Sequence, residues 1–165
     1  MSAALALSQL NRMDERNAQR NENCRVVSEK LEALGFDTFI PENDITRVYF
    51  EFLVRYNEAN IGLPIGDLVK ALQAEGARVE APRYPLLHQQ PVFTHHVWSK
   101  IARLPATPEN PIHVYDESDL PLTTLGNGTL LKLPAFPSAN KELLAQYALA
   151  FEKVLSHADD LPRTT

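Results

Sequence analysis

The sequence predicts an α+β domain: a small, mainly antiparallel sheet covered on one face by helices and preceded by a long N-terminal helix. Three observations carry this. Residues Leu10, Met13, Asn17, Arg20, Cys24, Val27, Leu31 and Leu34 recur at alternating spacings of three and four, which keeps them on one helical face. Residues 47–56 alternate with period two, the mark of a strand with one buried side. Two further amphipathic helical stretches flank short extended segments.

The elements follow in order. The first helix covers Ser2 to Leu34, and Gly35 suits the left-handed residue that closes it. A continuous helix of that length would run roughly 50 Å, more than a small domain can cover. Part of it is therefore expected to meet something outside the domain, and Asn17 and Arg20 mark where the apolar stripe is interrupted. Phe36–Ile40 is a short strand stopped by Pro41. In 47–56, Val48, Phe50, Phe52, Val54 and Tyr56 are expected on one face, with Arg47, Tyr49, Glu51, Leu53 and Arg55 on the other. A second helix spans Pro64 to Glu75 with Ile65, Leu68, Val69 and Leu72 inward, and Gly76 ends it. Residues 77–80 form a short strand.

Nine of the twelve prolines fall between Pro82 and Pro137, so regular structure there is short and broken. A short helix carries Phe93, Val97, Trp98 and Ile101, and Leu104–Pro121 reads as a loop. Gly126-Asn127-Gly128 reads as a tight turn, followed by a strand at 129–133. The last helix covers Lys141 to Ser156, capped by Asn140, with Leu144, Tyr147 and Phe151 inward.

Composition narrows the function. The chain has 165 residues, 44% hydrophobic and 22% charged, as expected of one globular domain spanning 1–165. Sixteen basic against 21 acidic residues give a net charge of −5, with no general attraction for nucleic acid. No segment reaches the roughly 20 apolar residues of a membrane span. No positively charged leader precedes the first apolar stretch, so the cytoplasm is the expected compartment. Cys24 is the one cysteine, which leaves no intrachain disulfide, and a packed, inert thiol is expected. His88, His95, His96, His113 and His157 occur without carboxylates or thiols at ligand spacing, so no metal site is expected. Nucleophile elbows and phosphate-binding glycine loops are missing.

One segment points further: Tyr84-Pro85-Leu86-Leu87-His88-Gln89-Gln90-Pro91-Val92-Phe93. Tyr-Pro-x-x-His-x-x-Pro-x-Phe, after a helix ending in Glu75-Gly76 and a short strand, resembles the C-terminal half of the DegT/StrS-type sugar aminotransferases. These are fold-type I enzymes that use pyridoxal phosphate in deoxysugar and aminocyclitol biosynthesis. Four more stretches are similar in the same order: Met1 to Asn17, Val48-Tyr49 with Val54-Arg55, Ala71 to Gly76, and Leu131–Pro137 with the Asn140 cap.

The resemblance implies the small, C-terminal domain of such an enzyme, without the large domain that carries the Schiff-base lysine and most cofactor contacts. Lys30, Lys70, Lys100, Lys132, Lys141 and Lys153 have no context resembling that lysine, and Arg47 stands where many members carry histidine. An imine-forming lysine and an acid at the ring nitrogen are what make the cofactor an electron sink. The chain alone is therefore expected to hold no pyridoxal phosphate and to have no catalytic residue of its own. Its expected partner is the cofactor-binding domain or a chain that supplies it, with self-association as a further possibility. His88 is the implied substrate contact, with Tyr84 and Gln90 beside it; the alternative for His88 is a hydrogen bond that pins its own loop. A second functional reading is a stand-alone, non-catalytic binding module that keeps the small-domain fold and uses the half-polar face of the first helix.

Overall fold

A computed structural model describes residues 1–42, 44–82, 84–95, 97, 115–116 and 118–162. The chain divides into two compact units: Met1–Ala81 with Leu130–Thr165, and Pro82–Thr129.

The first unit opens with α1 (Ser2–Leu10) and α2 (Met13–Ala33). The long helix expected from the sequence is thus divided at Asn11 and Arg12. Asn is a poor interior helix former, while Asp14 and Glu15 place acidic groups in the first turn of α2, where the helix dipole favours them. No residue of α1 is buried; α2 buries Asn23, Cys24, Val27, Ser28 and Leu31. Gly35 closes α2 at φ 89°, the left-handed geometry expected of it.

The sheet is smaller than expected. Its ladder joins β1 (Phe52–Arg55) to an antiparallel β2 (Leu130–Leu133), with Phe52 opposite Leu133 and Arg55 opposite Leu130. The two other expected strands shrink to single antiparallel bridges, Asp37 to Arg55 on one edge and Glu80 to Lys132 on the other. All four segments therefore lie in the order 37, β1, β2, 80, but only the inner two are strands.

The alternation expected across 47–56 also changes phase. A bend at Phe50 and Glu51 turns Tyr49 inward and leaves Val48 (65% exposed) and Phe50 (75%) outside. After the bend, Phe52, Val54 and Tyr56 face the core as expected. One irregular step is enough, because side chains alternate with period two.

After β1 come α3 (Glu58–Ile61), capped by the Asn57 side chain on Ala59 N–H, and α4 (Ile65–Ala74). The second unit contains a 3-10 turn at Leu87–Gln89, α5 (Pro91–Thr94) and α6 (Pro121–Gly128). Gly126 to Gly128 thus ends a helix that starts with Pro121 at its first position, instead of forming a tight turn. Within the first unit, α7 (Lys141–Ser156) follows β2, and the Asn140 side chain accepts from Leu143 N–H as expected. A 3-10 turn at Ala158–Asp160 comes last. The expected helical positions of Trp98 and Ile101, and most of the expected loop 104–121, lie outside the described residues.

The core of the first unit lies between the sheet and α2, α4 and α7. Two aromatic chains cross it. Tyr49, Phe52, Phe136 and Tyr147 meet edge to face at centroid distances of 5.6, 6.2 and 4.9 Å. Phe151 meets Phe36 at 5.2 Å, and Phe36 meets Tyr56 at 5.9 Å. The loop after β2 is tied to α2: Asn23 Nδ2 donates to Phe136 O at 2.7 Å. That bond holds Phe136 at φ 46°, a conformation bulky residues rarely adopt.

Cys24 sits in the same core, fully buried, 3.5 Å from Ala135 O. Burial pushes its thiol up to about 12, against weaker opposing pulls from Arg20 and Arg47. The unfolded thiol loses its proton near pH 8.5 while the folded one keeps it. Folding stability therefore falls as pH rises from about 8.5 toward 12, by up to about 1.4 kcal/mol per unit. The Cys24→Ala variant should lack this part of the slope in urea unfolding between pH 8 and 10.5. Identical slopes for the two proteins would contradict the assignment.

Candidate functional site

The second unit supplies the candidate site. Pro85 and Pro91 bracket the 3-10 turn, and Pro91 occupies the first position of α5, where its missing N–H costs nothing. Gln89 and Gln90 N–H donate to Leu86 O and Leu87 O, both at 3.1 Å. Gln90 O then accepts from Phe93 N–H at 2.9 Å and Thr94 N–H at 3.1 Å. The turn and the short helix are thus one rigid hook.

His88 lies at the centre of the hook and is 5% exposed. Its Nε2 is buried and has no hydrogen-bond partner among the described residues. An imidazole nitrogen buried in this way forgoes solvation worth about 1–3 kcal/mol. The ring faces Tyr115, centroid to centroid 6.4 Å, and Tyr115 also meets Phe93 edge to face at 6.1 Å. The Tyr115 ring thus neighbours both the imidazole and Phe93, and the buried nitrogen can donate or accept according to its tautomer.

The three residues singled out from the sequence have different environments. His88 is buried, Gln90 is half-buried and Tyr84 is exposed. Gln90 Nε2 donates to Leu86 O at 3.3 Å, so this side chain pins the turn. His88 Nε2 makes no such bond. Tyr115 has no counterpart among the sequence-based candidates. It comes from a stretch without periodicity or motif, and only the folded unit brings its ring to His88. Of the other histidines, His95 caps α5 and His157 follows α7, with Nδ1 2.9 Å from Lys153 O. His96 and His113 lie outside the described residues. Among the described residues no three His, Cys, Asp or Glu side chains are grouped to hold a metal ion.

A sequence profile of the DegT/DnrJ/EryC1/StrS aminotransferase family matches residues 1–124, three-quarters of the chain and the whole of the His88 hook. The chain belongs to this family. It is 32% identical over 99 residues to a Streptoalloteichus tenebrarius protein provisionally named L-glutamine:3-amino-2,3-dideoxy-scyllo-inosose aminotransferase. That match covers 57% of this chain and 24% of the relative. It is 34% identical over 92 residues to the L-glutamine:2-deoxy-scyllo-inosose aminotransferase of Micromonospora echinospora, covering 53% of this chain and 22% of the relative. The matched stretch thus spans under a quarter of each relative's length.

The aminotransferases of this family depend on pyridoxal phosphate, and the described residues do not fit that cofactor. An imine-forming lysine needs an enclosed site with an acid and a stacking ring around it. Lys30 and Lys141 are on the surface of their helices, and Lys70 is exposed 3.5 Å from Asp67. Lys132 pairs with Glu80 at 2.5 Å and Lys153 with Glu75 at 2.7 Å. Lys100 lies outside the described residues. Among the described residues, the clefts lined by Arg12 and Gln19, by Leu10 and Met13, by Arg25 and Tyr49, and by Asn140 and Gln146 hold no lysine. No helix among the described residues is long and apolar enough to cross a membrane.

Proposed function

We propose that this chain forms the substrate-side wall of a pyridoxal-phosphate-dependent aminotransferase that acts on a keto-cyclitol, with the cofactor held by polypeptide outside these 165 residues. The observation that carries the reading is the buried, unpartnered Nε2 of His88, held in a rigid hook inside the family-matching stretch. A buried polar nitrogen with no protein partner has its desolvation already met and gains a full hydrogen bond when a hydroxyl reaches it. A polyhydroxylated ring offers such hydroxyls. The two relatives are named for amino transfer between L-glutamine and inosose-type ketones, which favours a cyclitol over other keto substrates. The chain alone binds no cofactor and transfers no amino group. Tyr84, exposed just before the hook, is read as a second substrate contact, and Gln90 as the residue that pins the turn through Leu86 O.

The test is reconstitution. The chain is mixed with the part of the Micromonospora echinospora relative outside the matched stretch, purified with pyridoxal phosphate bound. Amino transfer from L-glutamine to 2-deoxy-scyllo-inosose is then followed. Transfer is expected only when both chains are present. Transfer by the 165-residue chain alone, or none from the pair, would overturn the reading.

A further inference from the structure

We infer that Tyr115 is a positioning residue for substrate recognition: its ring fixes the plane of the His88 imidazole, so that Nε2 meets a cyclitol hydroxyl in one orientation. What Nε2 meets rests on the proposed function; how the imidazole is held follows from the geometry of the second unit alone.

The hook fixes the backbone of His88 but not its ring. Gln89 N–H on Leu86 O and Gln90 N–H on Leu87 O set the turn around it, and Gln90 Nε2 adds a further bond to Leu86 O. All three bonds leave the side-chain torsions of His88 free. The outer torsion of a histidine is broad and roughly two-fold, so turning it moves Nε2 without moving the backbone. A hydrogen bond at Nε2 would oppose that rotation, and among the described residues Nε2 has none. Leu87 and Gln89 on either side are exposed, whereas the His88 side chain is buried. Packing must therefore hold the Nε2 end of the ring.

Tyr115 supplies that packing. Its ring centroid lies 6.4 Å from that of His88 at an interplanar angle of 58°, within the range over which tilted aromatic rings attract. Phe93 meets the same Tyr115 ring edge to face, at 6.1 Å and 81°. Phe93 is itself placed by the hook, because it lies in α5 and its N–H donates to Gln90 O at 2.9 Å. The contacts close a circuit from the hook to Phe93, from Phe93 to Tyr115 and from Tyr115 to His88. The imidazole cannot turn freely against a ring that is held from its other side. Hydrogen bonds to hydroxyls are directional, so a nitrogen kept in one orientation contributes more to binding than one that must be ordered when the substrate arrives.

The test has two parts. In the purified 165-residue chain, isotopically labelled at histidine, nuclear magnetic resonance compares the His88 ring protons of the parent, Tyr115→Phe and Tyr115→Leu. Tyr115→Leu should shift and broaden them, and Tyr115→Phe should leave them near their parent positions. Slow exchange of the Phe93 and Thr94 amides, which bond to Gln90 O, verifies that the hook is folded in each variant. Tyr115→Met takes the place of Tyr115→Leu where that exchange quickens. His88 resonances unchanged by loss of the Tyr115 ring would overturn the inference. In the reconstituted pair, Tyr115→Leu should lower kcat/KM for 2-deoxy-scyllo-inosose by about tenfold, and Tyr115→Phe should keep it within about twofold. Once His88 is replaced by Leu, Tyr115→Leu should cost nothing further. Additive losses in the double variant would overturn the inference and leave the proposed function standing. Tyr115→Phe as poor as Tyr115→Leu would do the same, because the effect would then lie in the hydroxyl. A parent pair that transfers no amino group would overturn the proposed function and this inference together.

Discussion

Replacing Phe151 by Ala is expected to lower the unfolding free energy by about 3–5 kcal/mol. Phe151 lies on α7, the helix that packs on both α2 and α4. It is fully buried, and its ring meets Phe36 edge to face at 85°. Phe36 in turn touches Tyr56, whose hydroxyl donates to Leu63 O. One ring thus joins the last helix to the segment after α2 and to the end of β1. Two inner strands and two edge bridges cannot hold these helices by hydrogen bonds alone, so the aromatic contacts carry much of the cohesion. Domains of this size are stable by about 5–15 kcal/mol, so the loss is a large fraction of the total. Urea unfolding followed by far-ultraviolet circular dichroism measures it. A loss under about 1 kcal/mol would mean that the core is not organised around this ring.

The second large effect separates stability from function. Replacing His88 by Leu removes a buried nitrogen that has no partner, so the folded state gives up no hydrogen bond at that atom. The expected thermal midpoint is unchanged or a few degrees higher. In the reconstituted pair the same variant should lower kcat/KM by about 10- to 100-fold, the value of one lost hydrogen bond to a hydroxyl in a closed site. A structural histidine would behave oppositely, with stability lost and activity following it. A destabilised His88→Leu that keeps full activity when folded would remove His88 from the site.

The sequence carried the helices well and the sheet poorly, for a physical reason. Helical faces are written in spacing, and Leu144, Tyr147 and Phe151 are buried where their period places them. Caps are local, and Gly35, Gly76 and Asn140 close or open their helices as their chemistry requires. Strand length depends on partners distant in the chain. Residues 36–40 and 77–80 have strand-like composition, but each finds only one bridging residue on β1 or β2. The bend at Phe50 is likewise invisible in a run that alternates without fault. In the candidate site, the segment around His88 was legible through its resemblance, although its turn and short helix were read only as a proline-broken stretch. The isolation of His88 Nε2 and the approach of Tyr115 were not, because both depend on what the fold brings from a distance.

The most direct test of the account is a titration of the purified 165-residue chain with pyridoxal phosphate. It is read by absorbance and by borohydride reduction followed by mass spectrometry. The account predicts no saturable internal-aldimine band and, after reduction, only sparse labelling scattered over exposed lysines such as Lys30 and Lys141. A saturable band with one lysine trapped stoichiometrically would contradict it, and would place a working cofactor site within these residues.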